Sequence, residues 1–113
     1  MSQWKLVIHG GAGAMRPAHG DEDHEQRAHE GLCNSLDAGA EILGSGGTAI
    51  DAVEAAVRVL EDDPCFNAGR GSTLNAEGLV ELDAAIMDGT SRRAGAVAGV
   101  RTTRAPISLA RAL

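Results

Sequence analysis

Aromatic side chains are almost missing from this sequence: Trp4 and Phe66 stand alone, and there is no tyrosine. Any core must therefore be assembled from many small aliphatic groups, each buried CH2 contributing about 0.8 kcal/mol. Lysine is nearly absent too. Lys5 is the only one and precedes every glycine, so no phosphate-cradling GxxxxGK[ST] loop exists. Positive charge is scarce overall, with a net charge of −6 and an isoelectric point near 5.0. The nearest thing to a basic cluster is Arg101, Arg104 and Arg111, which reads as a solvated face. A nucleic-acid surface, which needs a basic stripe against phosphates, is excluded. The two cysteines, Cys33 and Cys65, form neither a CxxC pair nor a zinc spacing, and read as reduced thiols of a reducing compartment. No stretch approaches the roughly 20 apolar residues that cross a bilayer. Residues Met1 to Ile8 carry no signal-peptide pattern. The expectation is a soluble, cytoplasmic protein without membrane or nucleic-acid partners.

What is present suits layered structure. Hydrophobic residues make up 43% of the 113 positions, and Gly 15 together with many alanines favours close backbone packing. Trp4 to Ile8 reads as a short buried strand stopped by His9 and the run Gly10-Gly11-Ala12-Gly13, with Met15 to Gly20 as a connection. A helix is expected from Asp21, where Asp21, Glu22 and Asp23 place negative charge at its N-terminus, with Leu32, Leu36, Ala40 and Leu43 as its buried stripe. Gly44-Ser45-Gly46-Gly47 ends it. Thr48 and Asp51 form a capping box for a second helix, with Ile50, Val53, Val57 and Leu60 inward and Pro64 just beyond its end. A glycine-rich stretch, Cys65 to Ser72, follows. Leu79 to Met87 reads as a strand, Asp88 to Arg93 as a hairpin connection and Ala94 to Val100 as the returning strand. The small side chains of that last strand admit another layer at close range. Pro106 suits the first position of a last helix carrying Ile107, Leu109, Ala110 and Leu113. Because that helix ends uncapped on an apolar residue, Leu113 reads as a truncation point. The whole of 1–113 is expected to be the N-terminal part of one domain.

Several motifs fail on inspection. Gly11-x-Gly13 and Gly69-x-Gly71 have Arg16 and Leu74 where a dinucleotide fingerprint needs its third glycine. Ser45 and Ser72 lack the glycine two residues before that a serine-hydrolase elbow requires. His19, His24 and His29 recur every five residues, which does not put metal ligands on one helical face, so surface histidines are the plainer reading. Glu81 and Asp83 lie two apart and would share a strand face. Either they form a catalytic pair or they bond neighbouring loops, and no second group nearby would shift a pKa.

Three segments, in order and at matching spacing, resemble the plant-type asparaginase/isoaspartyl peptidase family across Trp4 to Leu113. They are Ile8-His9-Gly10-Gly11-Ala12-Gly13-Ala14, then Leu60 through Ser72, then Glu81 through Gly89 followed by Arg93 through Val100. The resemblance implies an α/β chain of the α+β kind. It would be part of an αββα sandwich of the N-terminal-nucleophile type, contributing two helices and a central β-hairpin. In that family a precursor cleaves itself before a threonine, whose hydroxyl then attacks with its own α-amine as base. A hydroxyl needs such an adjacent base, and a free amine titrates near neutrality.

That threonine is not found here. Thr48 fits a helix cap and Thr90 a polar hairpin, so neither Gly-Thr pair reads as a cleavage site. The resemblance assigns Asn67 to the active-site lining, where it orients the nucleophile; closing its own turn is the other reading of this asparagine. Gly10 and Gly11 match the mobile loop beside the scissile bond. The backbone carbonyls of Leu60, Glu61, Asp63, Phe66, Ala68 and Arg70 match a sodium loop, and carbonyl oxygen suits a hard cation. No catalytic cofactor is implied. The expected partners are the missing β subunit, a second αβ unit and a small amide substrate. Two readings stand: the N-terminal α-subunit segment of an isoaspartyl peptidase/L-asparaginase, inactive by itself, or a truncated, non-enzymatic relic.

Overall fold

A computed structural model describes residues 3–12 and 22–113. The expectations for Gly13, Ala14, His19 and the Met15–Gly20 connection, and for a helix start at Asp21, lie outside the described residues.

Thr48 begins the helical pair. Its hydroxyl accepts the Asp51 N–H at 3.2 Å and donates to Asp51 Oδ2 at 2.7 Å, the expected cap in a slightly different form. From it runs α2, Ala49–Asp62, packed against α1, Glu22–Gly44, to which the Ser45-Gly46-Gly47 connection joins it. The contact faces differ from the expected stripes. In α1 the buried positions are Ala28, Gly31, Ser35 and Gly39, while Leu36 is exposed and Leu32, Ala40 and Leu43 are half-buried. In α2 they are Ala52, Ala56, Leu60 and Glu61, with Val53 exposed and Ile50 and Val57 half-buried. Small residues win because they let the two backbones approach. A Cβ on Gly39 would lie 3.2 Å from the Ala52 carbonyl oxygen, and Ser35 Oγ donates to the Ala56 carbonyl at 2.8 Å.

The expected hairpin is present as β1, Leu82–Met87, and β2, Ala94–Val100, joined antiparallel. β1 starts three residues later than expected, so Glu81 lies outside the strand. The register runs from Met87 opposite Ala94 to Leu82 opposite Val100, with a bulge between Leu82 and Ala84. Gly99 occupies the bulge at φ +64°, which a side chain would strain, and its freed N–H donates to Asp83 Oδ1 at 2.8 Å. At the turn, Asp88 accepts the Thr90 and Ser91 N–H groups, and Arg92 takes φ +59°.

The last helix, α3, Pro106–Ala112, lies on one face of the hairpin and touches α2. Ile86, Ile107 and Ala110 form its buried core, with Ile50, Val57, Ala84 and Val97 packed around them. The other face, with Ala85 opposite Ala96 and Met87 opposite Ala94, stays exposed. The arrangement is α+β and corresponds to part of an αββα sandwich.

Trp4 to Ile8 does not form the expected buried strand. The segment is without regular structure, Val7 is 90% exposed and Trp4 43%. A strand exists only by pairing, and this segment pairs with neither strand of the described hairpin. Its Leu6 side chain instead packs against Gly39 of α1, and residues 6–9 run along α2 at Val53, Ala56 and Val57.

Arg111 joins α3 to α2 through ion pairs to Asp51 and Glu54. The Thr48 hydroxyl first, and then Arg111, hold the Asp51 carboxyl below its ordinary pKa. The Ser108 hydroxyl and then Arg111 do the same for Glu54, against an opposing effect of burial. A carboxyl with a lowered folded-state pKa binds fewer protons folded than unfolded as the pH drops. Its stabilisation is complete above the ordinary carboxylate range and is lost as pH falls through the folded-state value. Arg111→Met should therefore flatten the fall in stability between about pH 5 and about pH 3. Urea midpoints across that range test this, and parallel curves for the two proteins would refute it.

Candidate active site

The segment after α2 is shaped by two local devices. Pro64 has no N–H, so it cannot take the helical hydrogen bond of the Leu60 carbonyl. Cys65 N–H, which would serve the Glu61 carbonyl, instead donates to Asp63 Oδ1 at 2.9 Å. The helix ends there, and its last carbonyls turn into the loop. Phe66, 3% exposed, anchors the loop against α1 beside Gly31. A short 3-10 turn, Gly69–Gly71, leads out.

Of the six carbonyl-bearing residues expected around a cation, Leu60 and Glu61 lie in the last turn of α2, and Asp63, Phe66, Ala68 and Arg70 lie on the loop after it. Leu60, Glu61 and Phe66 are buried, Asp63 and Ala68 half-buried, and Arg70 exposed. The Asp63 carbonyl accepts Phe66 N–H at 3.3 Å and the Ala68 carbonyl accepts Gly71 N–H at 3.0 Å. A side chain at Gly69 would overlap the Glu61 carbonyl oxygen, and one at Gly71 would overlap that of Phe66. Neutral carbonyl oxygens are chemically suitable donors for a hard monovalent cation. Among the described residues, no three His, Cys, Asp or Glu side chains gather as a metal cluster.

Asn67 is exposed at the loop's tip, and its Oδ1 accepts Thr73 N–H at 2.9 Å, closing residues 67–73 into a ring. It borders an open cleft of about 420 Å3 whose walls include Val57, Glu61, Thr73, Asp83 and Ile107. Gly10 and Gly11 are not among the residues lining this cleft. Gly11 holds φ +117° and donates its N–H to His9 Nδ1 at 3.1 Å. The structure therefore places Asn67 on the loop after α2 at the edge of this cleft but does not bring the glycine pair into the same cavity.

Glu81 and Asp83 follow the plainer of their two readings. Glu81 pairs with Arg101, whose hydrogen bond, with help from Asn75, holds the carboxyl below its usual range. Asp83 serves the bulge. His29 Nδ1 lies 3.8 Å from Cys33 Sγ on α1.

The residue that sequence reasoning missed is the side chain of Glu61. It is 3% exposed, its Oε1 accepts Ile107 N–H at 3.0 Å, and its Oε2 has no partner among the described residues. Burial pushes this carboxyl above the ordinary range, opposed by the Ile107 N–H. A charged residue one helical turn from the half-buried Val57 was the available signal.

A helical pair, a glycine-rich loop with an asparagine at its tip, and a bulged hairpin under a third helix define an α+β chain of the αββα class. The chain belongs to the asparaginase family, whose family model matches residues 2–113. Over 107 residues it is 50% identical to the human isoaspartyl peptidase/L-asparaginase, covering 94% of this chain and 33% of the human protein. The bovine isoaspartyl peptidase/L-asparaginase is 51% identical over 106 residues, again 94% and 33%. The plant-type L-asparaginase of Pyrococcus abyssi is 48% identical over 106 residues, with the same coverage. The chain thus spans about a third of the length of the curated relatives it matches. Among the described residues no helix is long and apolar enough to cross a membrane.

Proposed function

We propose that this chain forms the N-terminal α-subunit part of an isoaspartyl peptidase/L-asparaginase, which hydrolyses β-aspartyl peptides and asparagine after cleaving itself before a threonine. The observation that carries this reading is the identity of about half of all positions with such enzymes over 94% of the chain. The nucleophilic threonine comes from a later part of the polypeptide. Thr48 is engaged as a helix cap and Thr90 N–H is engaged in a turn, which supports looking for it elsewhere. Asn67 orients that threonine from the cleft edge, and the Gly10-Gly11 backbone gives room beside the scissile bond. The threonine's α-amine takes the hydroxyl proton, an acyl-enzyme forms on the side-chain carbonyl, and water releases aspartate. The working unit is a dimer of αβ pairs in the cytoplasm, where Cys33 and Cys65 remain as the free thiols they are in the structure.

The experiment is intact-mass analysis and N-terminal sequencing of the protein from its natural source, with an aspartate-release assay. A copurifying polypeptide that begins with threonine, together with turnover of a β-aspartyl dipeptide, is expected. The chain by itself should release no aspartate. Turnover by the isolated chain, or purification with no threonine-initiated partner, would overturn the reading in favour of a different mechanism or a non-enzymatic fragment.

A sodium ion held by the carbonyls of Leu60, Glu61, Asp63, Phe66, Ala68 and Arg70 belongs to the same proposal. It would brace the loop rather than take part in the chemistry. Exchange of sodium for tetramethylammonium should lower the melting temperature of the purified protein. An unchanged melting temperature would remove the ion from the proposal.

A further inference from the structure

α3 opens on Pro106, which has no N–H, and its N-cap Ala105 makes no side-chain cap. Ser108 and Leu109 direct their N–H groups to the Ala105 carbonyl at 3.1 and 3.3 Å. Ile107 N–H is therefore the donor that the helix itself leaves unmatched, and it is buried. Glu61 supplies the cap from another element, 46 positions away in sequence. The same residue is the seat of the Asn67 loop, because a Cβ on Gly69 would lie 2.9 Å from both Glu61 Cα and Cβ. Asn67, Glu61 and Ile107 all border one cleft. The neighbouring link, Arg104 to Asp62, joins two exposed side chains and contributes little. Ser108 to Glu54 and Arg111 to Asp51 and Glu54 join α3 to α2 further from the loop, whereas the buried Glu61–Ile107 bond joins it at the loop's base.

We propose that Glu61 is a positioning residue for the hydrolytic reaction: its carboxyl joins the base of the Asn67 loop to the start of α3 and so fixes where the Asn67 carboxamide stands in the cleft. This rests on the reading given under Proposed function, and it assigns Glu61 no contact with substrate. A carboxamide reproduces the acceptor oxygen that Ile107 needs, whereas a methyl group does not. In the full-length, self-processed enzyme, Glu61→Gln should keep kcat for a β-aspartyl dipeptide within about threefold of the parent. Glu61→Ala should lower kcat at least about tenfold with little change in KM, since a misplaced orienting group costs transition-state geometry more than binding. Asp62→Ala, which breaks only the exposed neighbouring pair, should behave as the parent.

Stability and positioning are separated by the double variant Glu61→Ala/Ala105→Ser. A serine at the N-cap can accept Ile107 N–H locally and restore the helix start without restoring the tie to the loop. Its melting temperature should recover toward the parent while kcat stays low. Recovery of kcat along with stability would show that Glu61 acts only as a cap and would overturn the proposal, as would a folded Glu61→Ala enzyme with parental kcat. Equal losses in Glu61→Gln and Glu61→Ala would also overturn it, by showing that the negative charge matters rather than the bond. Failure of the parent protein to yield a threonine-initiated chain or to hydrolyse the dipeptide would instead count against the underlying functional reading.

Discussion

Gly95→Ala is expected to destabilise the protein by about 3 kcal/mol, the upper end of the overpacking range, because one added methyl group meets the backbone of α3. The Cβ would overlap the Ala110 carbonyl oxygen and lie 3.0 Å from its carbonyl carbon. A flexible side chain could swing aside, but a helical carbonyl cannot. Ala110 is fully buried at the centre of the α3–hairpin core, so the whole helix would have to lift from Ile86 and Val97. Typical domains are stable by only about 5–15 kcal/mol, so a loss of this size is a large fraction of the total. Urea unfolding of the full-length protein measures it. Gly89→Ala is the control, since no heavy atom lies within 4 Å of its added methyl group. Similar midpoints for the two variants would mean that α3 does not sit on β2 as described.

Phe66→Ala should cost about 3–5 kcal/mol, the range for removing a buried aromatic ring from a core. It is the only phenylalanine of the sequence and is 3% exposed. Its ring faces α1 at Gly31, where a Cβ would fall 2.6 Å from a ring carbon, so the helix has no side chain there with which to fill the space left behind. Phe66→Leu keeps most of the apolar volume and should cost about 1–2 kcal/mol. The second expected effect is local. Asn67 follows Phe66 directly, so hydrogen exchange at Thr73 N–H, which Asn67 closes, should quicken in Phe66→Ala even under strongly stabilising conditions. Equal stability of the alanine variant and the parent would sink the assignment of Phe66 as the loop's anchor.

Much of this arrangement was legible along the chain because its signals are local. Thr48 with Asp51, the Gly44–Gly47 break, Pro64, the Asp88–Arg93 turn and Pro106 each act within four residues, and each lies where its chemistry predicts. The Ala94–Val100 strand was readable for the same reason, and its small side chains announced the close approach of α3. The family, too, followed from short contiguous segments in a fixed order.

The misread features are those whose answer lies on a partner element. Leucine spacing in α1 suggested a stripe through Leu32, Leu36, Ala40 and Leu43, yet α2 meets α1 at Ser35 and Gly39, because helix contact is set by how near two backbones can come. The apolar run Trp4–Ile8 has strand composition but, among the described residues, no strand beside it. Glu61 showed itself in sequence only as a loop residue, since nothing nearby foretells that its carboxyl reaches Ile107. By itself, then, the sequence determined the Thr48 start of α2, the Asp88–Arg93 turn with the small-residue strand after it, the Pro106 start of α3, and the family. Only the tertiary structure decided which helix faces are buried, that Asn67 Oδ1 closes its loop on Thr73, and that Glu61 joins that loop to α3. The physical reason is range: caps, prolines and turns satisfy backbone groups with neighbours a few residues away. Burial and long-range hydrogen bonds depend instead on which surfaces the folded chain brings together.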